Sequence, residues 1–322
     1  MANPPQAYIQ RALGTITYQE GTRQTLLLDR DGVMLELKLR VRYTITNTAT
    51  SPVTPLWQAL ARIIRRLEIV LDGQDTLVSI SGAGLASRCH IESGVEAYGM
   101  TDTVVLTANA VTAYDIVLSL PFFLPRSRRP DDTALDLRRV NQAVLAITWG
   151  GTTDIFTTAN SATISAVTCG IDGVYMVNVP SEAAFLGRSL DTIIQDIAAT
   201  NSNLGVLMDR GHDIYYRGFH IAALDDGAPS NAIINNIRLE SGSFVFTNRE
   251  GPIIRSMLRS MYGLPTLPTG LYPVDTSHFG EGKSLINTGA LATDLYFRFD
   301  VTKPAGVVTL EIFREALRPI RV

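Results

Sequence analysis

The sequence predicts an all-β chain made of two tandem sandwiches with short helices in its loops. Three observations carry that prediction: a long internal repeat, stretches whose apolar residues alternate at period two, and turn-forming pairs between them. Residues 26–39, LLLDRDGVMLELKL, match residues 206–219, VLMDRGHDIYYRGF, and residues 61–85 match residues 231–254 with a one-residue gap. RALGTI at 11–16 returns as RSLDTI at 188–193. The motif order is the same in both copies, and the spacing between equivalent residues drifts, as loop insertions make it drift. A repeat this long is no solenoid unit, because each copy is large enough to bury a core of its own. The expected division is an N-terminal arm at 1–10, a first sandwich at 11–180 and a second at 181–322.

In chain order, residues 25–30 and 33–47 read as strands joined by an Asp31-Gly32 turn. The second is the clearest in the chain. Leu35, Leu37, Leu39, Val41, Tyr43 and Ile45 fall on one face, and Glu36, Lys38, Arg40, Arg42 and Thr44 on the other, the period of a half-buried strand. Residues 55–66 predict a short helix leading into a strand at 67–71, with Asp72-Gly73 as the turn to a strand at 76–80. TVVLT at 103–107 and residues 114–124 read as strands about a turn at Asn109-Ala110, and 144–149 and 161–179 complete about eight strands, the usual jelly-roll number. Residues 181–199 fit either one amphipathic helix or a helix that runs into a strand, and the repeat favours the second. The second copy gives strands at 204–208, 214–224, 234–240, 243–247 and 272–275, then two well-marked ones over 295–301 and 307–313.

Gly82-Ala83-Gly84-Leu85-Ala86-Ser87 superficially resembles a dinucleotide fingerprint, but that motif needs a βαβ setting, and strands surround it here. At the same place in the second copy Gly251-Pro252 precedes Ile253, Ile254, Met257, Leu258 and Met261, an apolar helical face closed by Gly263. The glycines are therefore expected to start a helix.

The chain has 322 residues, 46% of them hydrophobic and 18% charged, so it can bury substantial cores. Its net charge of −3 argues against a protein that coats nucleic acid by neutralising phosphates. Lysine occurs only at positions 38, 283 and 303; the rest of the basic residues are arginine. Cys89 and Cys169 lie outside any CxxC spacing and are expected to be buried free thiols. His90, His212, His220 and His278 form neither HExxH nor an HxH cluster, and neither a GxSxG elbow nor a P-loop occurs. Asp225-Asp226 precede Gly227 and read as turn residues. Arg126, Arg128 and Arg129 beside Asp131 and Asp132 read as a self-paired solvated loop. Trp57 and Trp149 sit in apolar sequence, without the aromatic surface that stacks sugars or bases. No export signal and no membrane-length apolar run is seen. No catalytic, cofactor-binding or metal-ligating residue is assigned, and no cofactor is expected.

Two replayed eight-stranded antiparallel sandwiches without a catalytic inventory resemble the double jelly-roll major capsid proteins of corticoviruses, tectiviruses and related icosahedral phages. The resemblance spans residues 11–322 and implies a virion protein, assembled in the host cytoplasm, that is not an enzyme. It implies homotrimers of pseudo-hexagonal outline that tile a shell against neighbouring trimers, with minor capsid or vertex proteins, and an internal viral membrane, as further partners. Sequence-specific nucleic acid is not among them. By the same analogy, residues 1–10 and the basic positions Arg62, Arg65 and Arg66 would face the capsid interior or that membrane. The alternative reading is a carbohydrate-binding or carbohydrate-active double β-sandwich using strand-end carboxylates.

Overall fold

The computed structural model describes residues 7–100, 107–124, 133–157, 162–179, 186–264, 268–276 and 285–320. Contacts divide the chain into two compact units, one of Met1–Ser189 with Pro319–Val322 and one of Leu190–Arg318. In the first unit the elements are β1 (Ala7–Ile16), β2 (Arg23–Leu27), β3 (Val33–Asn47), β4 (Ile64–Leu71), β5 (Asp75–Ile80), α1 (Gly82–Ser93), β6 (Val111–Pro121), β7 (Leu135–Asp136), β8 (Ala143–Trp149), α2 (Thr152–Ile155) and β9 (Ala162–Val177). β10 (Leu186–Ile197) begins in the first unit and runs into the second. There follow β11 (Asn201–Leu207), β12 (Tyr215–Asp225), β13 (Ala228–Pro229), β14 (Ile234–Ser241), β15 (Phe244–Glu250), α3 (Gly251–Tyr262), β16 (Leu271–Asp275), β17 (Ile286–Asn287), β18 (Leu295–Val301) and β19 (Val308–Pro319).

In the first unit one sheet runs β1-β9-β3-β6 and the other β5-β4-β8-β2; in the second unit the sheets run β10-β19-β12-β16 and β11-β18-β14-β15. Leaving aside the two-residue strands and counting eight in each unit, the order is 1-8-3-6 over 5-4-7-2 both times. That is jelly-roll wiring, and the chain carries it twice.

Burial follows the pleat. On β3 the six predicted apolar residues are nearly inaccessible, while Arg40 and Arg42 are exposed; β3 pairs antiparallel with β6 and β9 along almost its full length. The core of the second unit is aromatic, with Phe219 edge-on to Phe297 at 4.7 Å between ring centres and Ile237, Leu239 and Phe299 fully buried around them. The helix starts predicted at the two glycines are both present. Ser81 caps α1 by accepting from the Gly84 amide at 3.1 Å, and each helix ends on a left-handed glycine, Gly94 and Gly263.

Some expectations need correction. β1 begins at Ala7 and pairs with β9, so four residues of the expected arm are strand. The helix expected over 55–66 is a 3₁₀ turn at Ala59–Ile63, and β4 starts at Ile64. Two adjacent β-branched residues, Ile63 and Ile64, disfavour helix there, and both are fully buried. Over Leu186–Ile197 the expected helix-to-strand segment is strand, as Thr192, Ile193 and Ile194 favour; its first residues, 181–185, lie outside the described part, as do most of the strand expected at 103–107 and the arginine loop at 125–132.

The repeat also contains something too short to read in sequence. β7 pairs with Val33 and Met34, β17 pairs with Tyr215 and Tyr216, and each runs into a 3₁₀ turn. Asp136 accepts from the Arg138 amide and Asn287 from the Gly289 amide to cap those turns.

Candidate functional surfaces

Most of the described residues with a chemical reading in the sequence have a structural role in the fold. A Cβ on Gly82 would lie 2.0 Å from the Ala61 carbonyl oxygen and 2.9 Å from that of Ile64; one on Gly251 would lie 2.5 Å from that of Ile234. Ile64 and Ile234 are equivalent in the repeat. The glycines are therefore required by close packing of a helix start on a strand, and that space is filled by protein backbone.

Asp226 sits in the left-handed region (φ 49°) beside Gly227, and its carboxylate accepts from the Val307 amide at 2.8 Å. This is the turn chemistry the sequence suggested. Trp149 is fully buried, donates to the Thr17 carbonyl at 2.9 Å and meets Tyr18 edge-on. Of the histidines, His90 lies on α1, His212 is exposed and His220 is buried against the Tyr262 ring; His278 lies outside the described residues. Among the described residues no group of three His, Cys, Asp or Glu side chains could hold a metal ion, and no helix is long and apolar enough to cross a membrane.

Cys89 donates to the Ser119 carbonyl, and Cys169 is buried in β9. Burial pushes each thiol up to about 12, so both are protonated and unreactive at neutral pH. Arg65 forks onto Asp154 at 2.8 and 3.0 Å, Arg66 reaches Ser79 at 2.8 Å and Glu68 at 3.3 Å, and Arg62 donates to the Trp57 carbonyl. The arginines that looked like a basic patch thus have partners inside the fold. On the outward face of β3, Arg40 forks onto Asp115; the hydrogen bond from that guanidinium holds the Asp115 carboxyl below its usual range.

Sequence reasoning missed the buried ionic clusters. Glu92, on α1, is gripped by Arg88 at 2.7 Å and by Arg188 at the start of β10, and Arg188 donates further to the Pro121 and Phe123 carbonyls. All three side chains are at most 10% exposed. Arg88 and Glu92 stand at helical i,i+4 spacing, the one signal available in advance; Arg188 is 96 residues away from Glu92 in the chain. In the second unit Arg314 reaches both Asp191 and Asp209.

Among the described residues, several large apolar side chains on strands are exposed. Tyr8 on β1, Leu27 on β2, and Phe244 and Val245 on β15 are between 46% and 66% exposed, and each lies on a strand at the end of its sheet order. Open cavities exist, one of about 590 Å³ between β15, α3 and β16, and its lining carries a single carboxylate, Asp275. The surfaces this fold offers for function are strand edges and faces.

No protein-family model and no curated protein sequence matches the chain. Solved structures do, over nearly their whole length. The chain is similar to the STIV MCP, from Sulfolobus turreted icosahedral virus, with a TM-score of 0.76 at 12% identity, covering 98% of this chain and 97% of that one. It is similar to the major capsid protein P2 of bacteriophage PM2, with a TM-score of 0.64 at 12% identity, covering 98% of each. The PBCV-1 virus capsid gives 0.63 at 12% identity, covering 98% of this chain and 95% of that one. At such identities the likeness is one of fold: the chain is a double jelly roll.

Proposed function

We propose that this double jelly roll is a major capsid protein, whose work is to associate with copies of itself into an icosahedral shell. The observation that carries the reading is the paired wiring, 1-8-3-6 over 5-4-7-2 in each unit, together with end-to-end correspondence to solved capsid proteins in both directions. Chemistry supports it from the other side, since Gly82, Gly251, Asp226, both thiols, Arg62, Arg65 and Arg66 are engaged in packing, turns and internal pairs. On this reading the chain is not an enzyme, and its first sandwich and second sandwich divide between residues 180 and 190.

The oligomer is a homotrimer that presents six sandwiches and a pseudo-hexagonal outline, so that repeated edge contacts tile a surface. Neighbouring trimers and minor capsid or vertex proteins are its partners, the virion its location and the host cytoplasm its place of assembly. An internal membrane is a compatible partner, but Arg65 and Arg66, already paired, lend it no support. Expression followed by size-exclusion with light scattering, then electron microscopy, tests the reading. Trimers that associate into sheets or shells are expected; a monomer at every concentration and salt overturns it.

A further inference from the structure

The two halves of the repeat differ most where their strands end, and the difference is in exposure. In the first unit the open edge of β5 is taken up by the first residues of β10. Ser189 Oγ donates to the Leu77 carbonyl at 2.8 Å, and a Cβ on Gly187 would stand 3.2 Å from the Leu77 side chain. Leu77, Val78, Gly187 and Arg188 are all buried there.

The repeat gives each of these strands a counterpart. The helix starts Gly82 and Gly251 fix β15 as the equivalent of β5, so that Phe246 answers Leu77; RALGTI and RSLDTI make β1 the equivalent of β10. Both counterparts are sheet termini among the described residues. Phe244 and Val245 on β15 are 60% and 46% exposed, and β1 shows Tyr8 at 66% with Gln10 and Ala12 also exposed. A ten-residue strand and a seven-residue strand thus each present an unpaired row of backbone groups with exposed apolar side chains near its start, which in a soluble monomer is an aggregation hazard.

We infer that β15 of one copy pairs edge to edge with β1 of the next, repeating between chains the contact that β5 and the start of β10 make within one. This rests on the capsid reading and specifies the surface by which copies recognise one another. The contact is heterologous, because each copy offers β15 at one side and β1 at the other; it closes into a ring when the rotation per copy closes, and otherwise extends as a filament. It also accounts for the exposure of Phe244, whose ring lies edge-on at 4.7 Å to that of the partly buried Phe246. In the duplicate their place is held by Asp75 and the buried Leu77.

Two experiments on the full chain test it. Phe244→Lys with Val245→Lys places charges on the β15 edge at exposed positions, so the fold is retained, as circular dichroism and an unchanged melting temperature within about 2 °C verify. The oligomer is expected to fall at least tenfold in yield on size-exclusion. Separately, Phe246→Cys is combined in turn with Tyr8→Cys, Gln10→Cys and Ala12→Cys and oxidised with diamide. At least one pair is expected to give a reducible ladder of dimers and trimers that neither single variant gives. Wild-type oligomers that survive the double lysine variant, or a cross-linking panel no stronger than the singles, overturn this contact while leaving the capsid reading in place. A wild-type chain that never leaves the monomer overturns both.

Discussion

Glu92 is the side chain whose loss the structure makes most consequential for stability. Its carboxylate is the shared acceptor of two guanidiniums, Arg88 at 2% and Arg188 at 0% side-chain exposure. Glu92→Ala leaves two buried cations without that counter-charge in a site water scarcely reaches. Removing one partner of a buried ion pair costs about 3–5 kcal/mol, most of it the penalty of the stranded charge. For a unit of this size each kcal/mol lowers Tm by about 2–4 °C, so the expected fall is about 6–20 °C. Glu92→Gln keeps shape and one acceptor oxygen and is expected to lie between wild type and alanine. Replacing Arg88, Glu92 and Arg188 together by Leu, Leu and Met removes charge and counter-charge alike, and is expected to recover most of the loss, since apolar substitutes for buried ion clusters are often neutral or better. Calorimetry on the four proteins measures this. A Glu92→Ala shift under about 2 °C, or a triple variant less stable than the alanine variant, would refute the argument that desolvated charge dominates here.

Three further expectations follow from burial and packing. Gly82→Ala and Gly251→Ala each push a methyl group into a carbonyl oxygen at 2.0 and 2.5 Å, and denaturant melts should show each costing about 1–3 kcal/mol, Gly82 the more. Phe297→Ala opens the centre of an aromatic core at a residue with no exposure and should cost about 3–5 kcal/mol by the same measurement. Cys89 and Cys169, both raised to about 12, should resist a thiol reagent at pH 8 until the chain unfolds. The unfolded thiols ionise near 9 and the folded ones do not, so their contribution to stability is full below pH 9 and is lost as pH rises toward 12; melting temperature followed across that window checks the sign.

The duplication was legible in sequence because its anchors are local. Turn pairs, helix-starting glycines and the alternation in β3 each depend on a few neighbouring residues, and each sits where the pattern put it. What was not legible depends on residues far apart. β10 read partly as helix because Leu190, Ile193, Ile194 and Ile197 fall at helical spacing, and only tertiary pairing makes the segment a strand. The Glu92 cluster needs Arg188 from the far end of the first unit, and the β7 and β17 bridges are two residues each. The sites gave the same lesson: the partners of Arg65 and Arg66, which are Asp154, Ser79 and Glu68, are not evident from the arginines' own neighbourhood in the sequence.

A duplicated domain has one answer to the problem of sheet edges that a single domain lacks. Every jelly roll ends its two sheets in unpaired strands, and a tandem pair can satisfy one such edge within the chain, as β5 is satisfied by the first residues of β10. Among the described residues no strand meets the matching edge at the other side, and Phe244, Val245 and Tyr8 remain in solvent. Charged gatekeepers would be the remedy for a monomer, yet the first two residues of β15 are Phe and Val. Retaining apolar residues there while Arg40, Arg42 and Asp115 cover the outward face of β3 is what selection for self-association at an edge, and solubility elsewhere, would leave behind.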